Sequence, residues 1–194
     1  MNMPKHLARL CVVVAVAALG ASATSRAQEG GPPIPKPTAE HKILAADEGT
    51  WDANIKTFTS GPDAEPSVSK GVEVNTVMTG GLWMLSKFQG EFGGVAFEGR
   101  GQFGYDPVKK KYVGTWLDSW TPSLAVLEGS YDAKTKTMTY VGDGVGPDGK
   151  TKYTQKMVTT TKDDGTRVFT LYMKYDSAGA GEVKFMEITY TKKK

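Results

Sequence analysis

Hydrophobic and polar residues alternate with a period of two through most of the chain after Thr50. In the first such run, Trp51, Ala53 and Ile55 alternate with polar residues, which is typical of a strand with one buried face. Turn-forming pairs such as Gly80-Gly81 separate this run from later ones. The later runs lie near residues 68–78, 82–91, 95–105, 111–120, 124–131, 137–142, 152–161, 166–175 and 182–191. The pattern therefore predicts about ten strands with short connections.

Two stretches of the chain nearly repeat, 26 positions apart. Tyr105-Asp106 leads through a basic stretch to Tyr112-Val113-Gly114, and Tyr131-Asp132 leads through a Lys/Thr stretch to Tyr140-Val141-Gly142. An alternating run that stops at Tyr-Asp and soon resumes is typical of an antiparallel hairpin. The repeat therefore predicts two successive hairpins of the same design.

A helix is predicted only before the first strand. Thr38 can cap it, His41 and the Ile43-Leu44 pair give it an apolar face, and Gly49 can end it. A sheet of about ten strands tends to close, because closure removes both exposed edges. We therefore expect an all-β, antiparallel up-and-down barrel, plugged at one end by the 38–48 helix. Such a barrel is wider than the eight-stranded size that side chains just fill, so an internal pocket is plausible.

The N-terminal residues have the organisation of a signal peptide. Lys5 and Arg9 precede an apolar stretch from Leu10 to Leu19, and Ser25-Arg26-Ala27 offers a cleavage site. The apolar stretch is too short to span a bilayer. We predict a signal peptide over residues 1–27, a Pro/Gly-rich linker over residues 28–37 and a single barrel domain over residues 38–194. The expected location is periplasmic or secreted, with no stable membrane span after cleavage.

Charge and cysteine content exclude several classes of function. Of the 24 basic residues, three lie in residues 1–27, so the remainder has 21 basic and 21 acidic residues. A neutral chain argues against nucleic acid as a partner, because phosphate binding needs clustered positive charge. Cys11 is the only cysteine and lies in the predicted signal peptide, so the mature chain has no disulfide or cysteine nucleophile.

Short motifs spread over residues 38–192 resemble those of DUF1579, a domain-of-unknown-function family of bacterial proteins. They are Glu40-His41-Lys42, Gly49-Thr50-Trp51-Asp52, Gly80-Gly81-Leu82-Trp83, Phe97-Glu98-Gly99, Gly104-Tyr105-Asp106, Tyr112-Val113-Gly114-Thr115-Trp116, Asp118-Ser119, Glu128-Gly129, Tyr131-Asp132 and Met186-Glu187-Ile188-Thr189-Tyr190. The Gly49-Thr50-Trp51 segment is also similar to the Gly-x-Trp opening of lipocalin-like (calycin) barrels. The resemblance implies a calycin-like barrel and brings no assigned activity.

Common catalytic and cofactor motifs do not fit this pattern of strands. Residues 99–104 and 144–149 both match Gly-x-Gly-x-x-Gly, but neither precedes a helical pattern, as dinucleotide binding requires. In residues 99–104 the glycines more plausibly permit bending or close packing within a strand. His41 is the only histidine after residue 27, and its place on the helix favours a structural role. No cofactor, metal site or catalytic residue is predicted.

The candidate ligand site combines ionisable and aromatic residues on the middle strands. Arg100 and Arg167 are the only arginines after residue 27, and Arg100 lies in mid-strand between two glycines. If Arg100 points inward, Asp118 or Glu128 on the following strands can pair with it; the alternative is an outward polar face with ordinary surface pairs. The tryptophans either fill the core or line a pocket. The predicted ligand-binding residues are Trp51, Trp83, Arg100, Trp116, Asp118, Trp120 and Glu128.

Three hypotheses about function follow. The leading one is a non-enzymatic protein that binds a small, largely apolar ligand carrying one polar or anionic group. The second is an isomerase or hydrolase that uses Asp118 or Glu128 as general base. The third is a structural or interaction module whose Lys-tipped hairpins make contacts. The sequence does not specify the ligand or the oligomeric state.

Overall fold

The structure is a computed structural model that describes residues 33–59, 64–176, 179 and 181–194. The predicted signal peptide and the first part of the predicted linker lie outside the described residues. Residues 33–38 form no helix or strand. In the part of the chain that the structure describes, no helix is long and apolar enough to cross a membrane.

Ten antiparallel strands close into a barrel in which every strand pairs with its neighbours in the sequence, and the first strand pairs with the last. This confirms the predicted all-β, up-and-down barrel. The strands are β1 (Gly49–Thr57), β2 (Ser67–Val77), β3 (Trp83–Phe92), β4 (Val95–Asp106), β5 (Lys111–Asp118), β6 (Ala125–Asp132), β7 (Thr137–Val145), β8 (Lys152–Thr161), β9 (Arg167–Tyr175) and β10 (Val183–Lys192).

The repeated Tyr-Asp segments form the β4–β5 and β6–β7 hairpins, as predicted. In the first turn, Oδ1 of Asp106 accepts hydrogen bonds from the backbone N–H groups of the second and third residues after it. In the second, the side chain of Asp132 accepts from the backbone of Lys134 and the hydroxyl of Thr135. An aspartate that accepts from the backbone just after it stabilises a tight turn. The repeat is therefore a structural device that sets the register of β4 to β7.

A single short helix, α1 (Ala39–Ala45), lies at one end of the barrel against β3 and β4. Its first turn is fixed by His41, whose Nδ1 accepts a hydrogen bond of 3.1 Å from the backbone N–H of Thr38. His41 is buried, and its ring makes an edge contact with Tyr105, so it packs at the end of the barrel where the helix lies. The helix ends earlier than predicted, because Gly49 already opens β1, with a positive φ of 127°.

Large rings rest on glycines on both faces of β4. A Cβ on Gly99 would lie 2.2 Å from the ring of Trp116 on the inner face, and one on Gly104 would lie 2.7 Å from the ring of Trp83 on the outer face. Such approaches are possible only where no side chain intervenes. The glycines of residues 99–104 therefore serve close packing within β4, as the sequence predicts.

Candidate functional site

The barrel interior contains a cavity of about 1510 Å³. Its lining comes from all ten strands and from α1, and most of it is apolar or aromatic. Ligand pockets in proteins usually measure roughly 300–1,000 Å³, so this interior has room for a ligand together with water. We call the end covered by α1 the plugged end. The opposite end, where β5 stops and β6 begins, has no helix across it among the described residues, and we call it the open end.

Arg167 lies buried at the plugged end, where it connects three parts of the chain. Its Nη1 donates to Oδ2 of Asp47 at 3.0 Å, and its Nη2 donates to Oε1 of Glu73 at 2.6 Å. The guanidinium also stacks on the ring of Trp51, 3.9 Å from its centroid, and lies 4.7 Å from that of Tyr190. A planar guanidinium suits this combination of two carboxylates and a ring face. Because Asp47 follows α1 and Glu73 lies on β2, Arg167 ties the helix to two strands.

Burial and charge act in opposite directions on this ionic cluster. Burial lowers the pKa of Arg167, but the charges of Glu73 and Asp47 outweigh it, so the pKa lies above its usual value. Burial raises the pKa of Asp47, and the charge of Arg167 only partly opposes this. Burial also raises the pKa of Tyr190. The cluster therefore holds one guanidinium between two carboxyl groups, which leaves Arg167 no uncompensated charge to offer a ligand.

Several neutral polar side chains lie between the two ends. Ser86, Gln155 and Tyr140 are all buried and all line the cavity. Burial raises the pKa of the Tyr140 phenol, so it stays protonated at neutral pH. The Tyr140 hydroxyl has no hydrogen-bond partner among the described residues. This zone can offer hydrogen bonds to a ligand without charge.

The open end is lined by aromatic rings and by the carboxylate of Asp118. Phe92, Phe97 and Trp120 contact one another edge to face, with ring centroids 5.0 to 5.5 Å apart. Asp118, the last residue of β5, accepts a hydrogen bond of 3.2 Å from Nε1 of Trp116 through its Oδ2. Its Oδ1 accepts from the backbone N–H groups of residues 120 and 121, each at 2.9 Å. These three donors fix the carboxylate beside the rings.

Four of the seven predicted ligand-site residues line the cavity, and three do not. The four that line it are Trp51, Trp116, Asp118 and Trp120. The prediction that Arg100 points inward is wrong: it pairs in register with Leu117, lies on the outer face and forms an ion pair with Glu98. Glu128 also faces outward, because strand alternation turns its neighbour Leu127 into the core.

Trp83 lies outside the barrel for a similar reason. It precedes Met84, which is buried in the core, so its own ring packs on the outer side over Gly104 and stays 40% exposed. Arg167 is the residue that sequence reasoning missed. Its position two residues before Phe169 and four before Leu171 places it in the same phase as inward apolar residues, which is the signal that identifies it.

The two carboxylates predicted as possible general bases lie in different surroundings. Glu128 accepts hydrogen bonds from the side chains of Lys111 and Lys109, which lower its pKa to about 2. Such a carboxylate is a weak base and lies outside the cavity. Asp118 already accepts three hydrogen bonds, as described above. Among the described residues, no group of three His, Cys, Asp or Glu side chains could hold a metal ion.

Comparison with solved structures shows the same fold elsewhere. The crystal structure of Rv2717c from M. tuberculosis is similar, with a TM-score of 0.58 and 12% sequence identity, over 81% of this chain and 99% of that chain. At this identity the likeness shows the fold alone. Among curated proteins, none matches the chain. The sequence model of the family described as "Protein of unknown function (DUF1579)" matches residues 36–192, which contain the helix and all ten strands, and the chain therefore belongs to the DUF1579 family.

Proposed function

We propose that this protein binds a small, largely apolar molecule inside its barrel. The observation that carries the proposal is the cavity of about 1510 Å³, whose lining is mostly apolar and includes members of both hydrophobic clusters of the barrel. An interior that served only as a scaffold would gain stability by filling this space, because empty volume lacks packing contacts. The cavity is thus a costly feature that ligand binding explains.

The residues that would orient the ligand differ from those that the sequence suggests. Arg100 and Glu128 are on the outer face and make no contact with the interior. Ser86, Tyr140 and Gln155 provide neutral hydrogen-bonding groups along the cavity wall. Apolar burial would supply most of the affinity, at about 25 cal/mol per Å² of surface removed from water. The polar groups would fix the orientation of the ligand.

Titration with N-phenyl-1-naphthylamine, an uncharged apolar dye that fluoresces when shielded from water, tests the proposal. We expect saturable binding with one or two sites per chain. Leu171 lines the cavity, so Leu171→Trp should occupy part of the space and weaken binding by about tenfold or more. The control is Thr170→Trp, which adds the same ring to the neighbouring residue on the outer face of β9.

The result that would refute ligand binding is specific. If the dye shows no saturable binding, or if Leu171→Trp and Thr170→Trp bind it equally well, the cavity is not the binding site. Both variants should be compared by thermal unfolding first, so that a loss of binding is assigned to occlusion and not to loss of the fold.

A further inference from the structure

The charged residues that line the cavity are distributed unequally between its two ends. Lys42, Lys136, Arg167 and Lys192 all belong to the plugged end, where Asp47, Glu73 and Asp164 accompany them. At the open end, the charged lining residues in the described part of the chain are Asp118 and Asp148, which are both acidic. Among the described lining residues, the charges at the open end are therefore all negative.

Asp118 is a fixed anion at this end. Three N–H groups hold its two oxygens, from the indole of Trp116 and from the backbone of residues 120 and 121. Among the described residues, no lysine or arginine forms an ion pair with it. A carboxylate has about four lone-pair sites, so three donors leave room for one more partner. That partner can come from the cavity, which Asp118 lines.

Aromatic rings surround this carboxylate. The indole of Trp116 contacts it directly, and Trp120, two residues further on, packs against Phe97 and Phe92. Tyr153 lies near it as well: burial raises the pKa of Tyr153, and the charge of Asp118 adds to this effect. Trp120 is 39% exposed, so one of these rings has free surface at the mouth of the cavity. Aromatic faces attract cations, and more strongly where water is excluded.

We propose that the open end recognises a positively charged amine or quaternary ammonium group, with Asp118 as its counter-ion and Trp116 and Trp120 as its aromatic contacts. The inference rests on the proposed function, since the apolar remainder of the same ligand would occupy the cavity. A cationic head group differs from the expectation from the sequence, which was a ligand carrying one polar or anionic group. Arg167, the arginine that lines the cavity, is already paired with two carboxylates, and the lysines that line the cavity lie at the plugged end, away from Asp118.

The test compares three probes of equal chain length that differ only in the head group: decyltrimethylammonium, decanol and decanoate. Binding of each is measured by displacement of N-phenyl-1-naphthylamine below the micellar concentration. We expect decyltrimethylammonium to bind about tenfold more tightly than decanoate, because one ion–aromatic contact with a counter-ion is worth that factor. Decanol should lie between them.

Two variants assign the preference to Asp118 and its rings. Asp118→Asn keeps an oxygen for the two backbone N–H groups but removes the charge, and it should reduce the preference to about threefold or less. Trp120→Leu keeps the charge of Asp118. It should weaken the binding of decyltrimethylammonium more than it weakens the binding of decanol. Glu128→Gln is the control, since it removes a carboxylate from the outer face of β6, and it should leave the preference unchanged.

Failure of this inference can be told apart from failure of ligand binding. If all three probes bind with similar affinity, or if decanoate binds best, the cation site is wrong while the cavity remains a binding site. If Asp118→Asn binds the three probes as the unaltered protein does, Asp118 is not the counter-ion. If neither the dye nor any probe binds, the proposed function itself fails.

Discussion

Removing the buried guanidinium of Arg167 should destabilise the barrel far more than removing the exposed one of Arg100. In Arg167→Met the carboxylates of Asp47 and Glu73 lose their cation, and the Glu73 side chain is only 12% exposed. Breaking a buried ion pair by removing one partner costs roughly 3–5 kcal/mol. The stacking of the guanidinium on Trp51 is lost as well. The unfolding free energy of a typical domain is about 5–15 kcal/mol, so Arg167→Met would remove a large part of it.

Arg100→Met provides a matched control within the same chain. Arg100 also forms an ion pair, with Glu98 at 2.6 Å, but its side chain is 41% exposed. Exposed pairs contribute about 0–1 kcal/mol, so this variant should lie within that range of the unaltered protein. Urea unfolding followed by tryptophan fluorescence measures both, with the unfolding free energy taken from the midpoint and slope.

The pH dependence provides an independent check on the same reasoning. The charge of Arg167 lowers the pKa of Asp47, so Arg167→Met should raise that pKa further above its usual value. A carboxyl group whose folded-state pKa is raised binds more protons in the folded state, so it destabilises as the pH rises through that pKa. The difference in stability between Arg167→Met and the unaltered protein should therefore shrink as the pH falls from neutral through the raised pKa of Asp47.

Two results would refute this account of Arg167. One is an Arg167→Met variant that loses no more stability than Arg100→Met. The other is a double variant, Arg167→Met with Glu73→Gln, that is no more stable than Arg167→Met alone. The double variant removes one of the two carboxylates that Arg167→Met leaves without a cation, so it should recover on the order of 1–3 kcal/mol.

Three further predictions concern other parts of the chain. Gly99→Ala should cost about 1–3 kcal/mol in urea unfolding, because its Cβ would lie 2.2 Å from the ring of Trp116, and an effect below about 0.5 kcal/mol would contradict the packing argument. Lys111→Met should raise the pKa of Glu128, followed by carboxyl ¹³C NMR, from about 2 towards its usual value; the stabilisation from this pair is present above pH ~4.5 and is lost as the pH falls towards 2. Cleavage after Ala27 should give a chain that starts at residue 28 in intact-mass measurements of exported protein, and an intact N-terminus in that fraction would contradict the proposed signal peptide.

The alternating pattern was sufficient to predict the barrel, because half-buried strands impose a period of two on the sequence. Every predicted strand is present, and its ends differ by at most three residues from the prediction. The largest difference is at β7, which continues through Gly142 and Gly144 to Val145. Glycines often indicate a turn, but these two lie within the strand because neighbouring side chains pack directly on them. The ring of Tyr153, for example, packs on Gly144.

Which residues face inward could be predicted only in part. The β4–β5 turn pairs Asp106 with Lys111, and this register places Arg100 opposite Leu117, so that Asp118 lies opposite Gly99 on the other face. Arg100 and Asp118 therefore cannot meet. The turn of the repeated hairpin sets this register, but the register can be derived from the sequence only when the number of residues in the turn is known. A shift of one residue would move every side chain of the strand to the opposite face of the sheet.

The buried ionic cluster could not be predicted from local pattern, since its members are far apart in the sequence. Arg167 pairs with Glu73, 94 residues away, and with Asp47, 120 residues away. In β2 the inward residues are polar: Glu73 and Asn75 line the cavity, while the apolar Val72 and Val74 lie on the other face of the strand. Closure of the barrel brings these positions together, and closure is a property of the whole sheet.

The two ends of the cavity therefore have different roles, and this decides how a ligand would enter. At the plugged end, α1 and the Arg167 cluster hold the chain together, and opening that end would break two buried ion pairs. At the open end, the aromatic rings are partly exposed and the turn between β3 and β4 consists of Gly93 and Gly94. Entry at the open end is thus the less costly path. A ligand whose head group lies beside Asp118 would have its apolar part deeper in the barrel, and the head-group comparison tests this orientation.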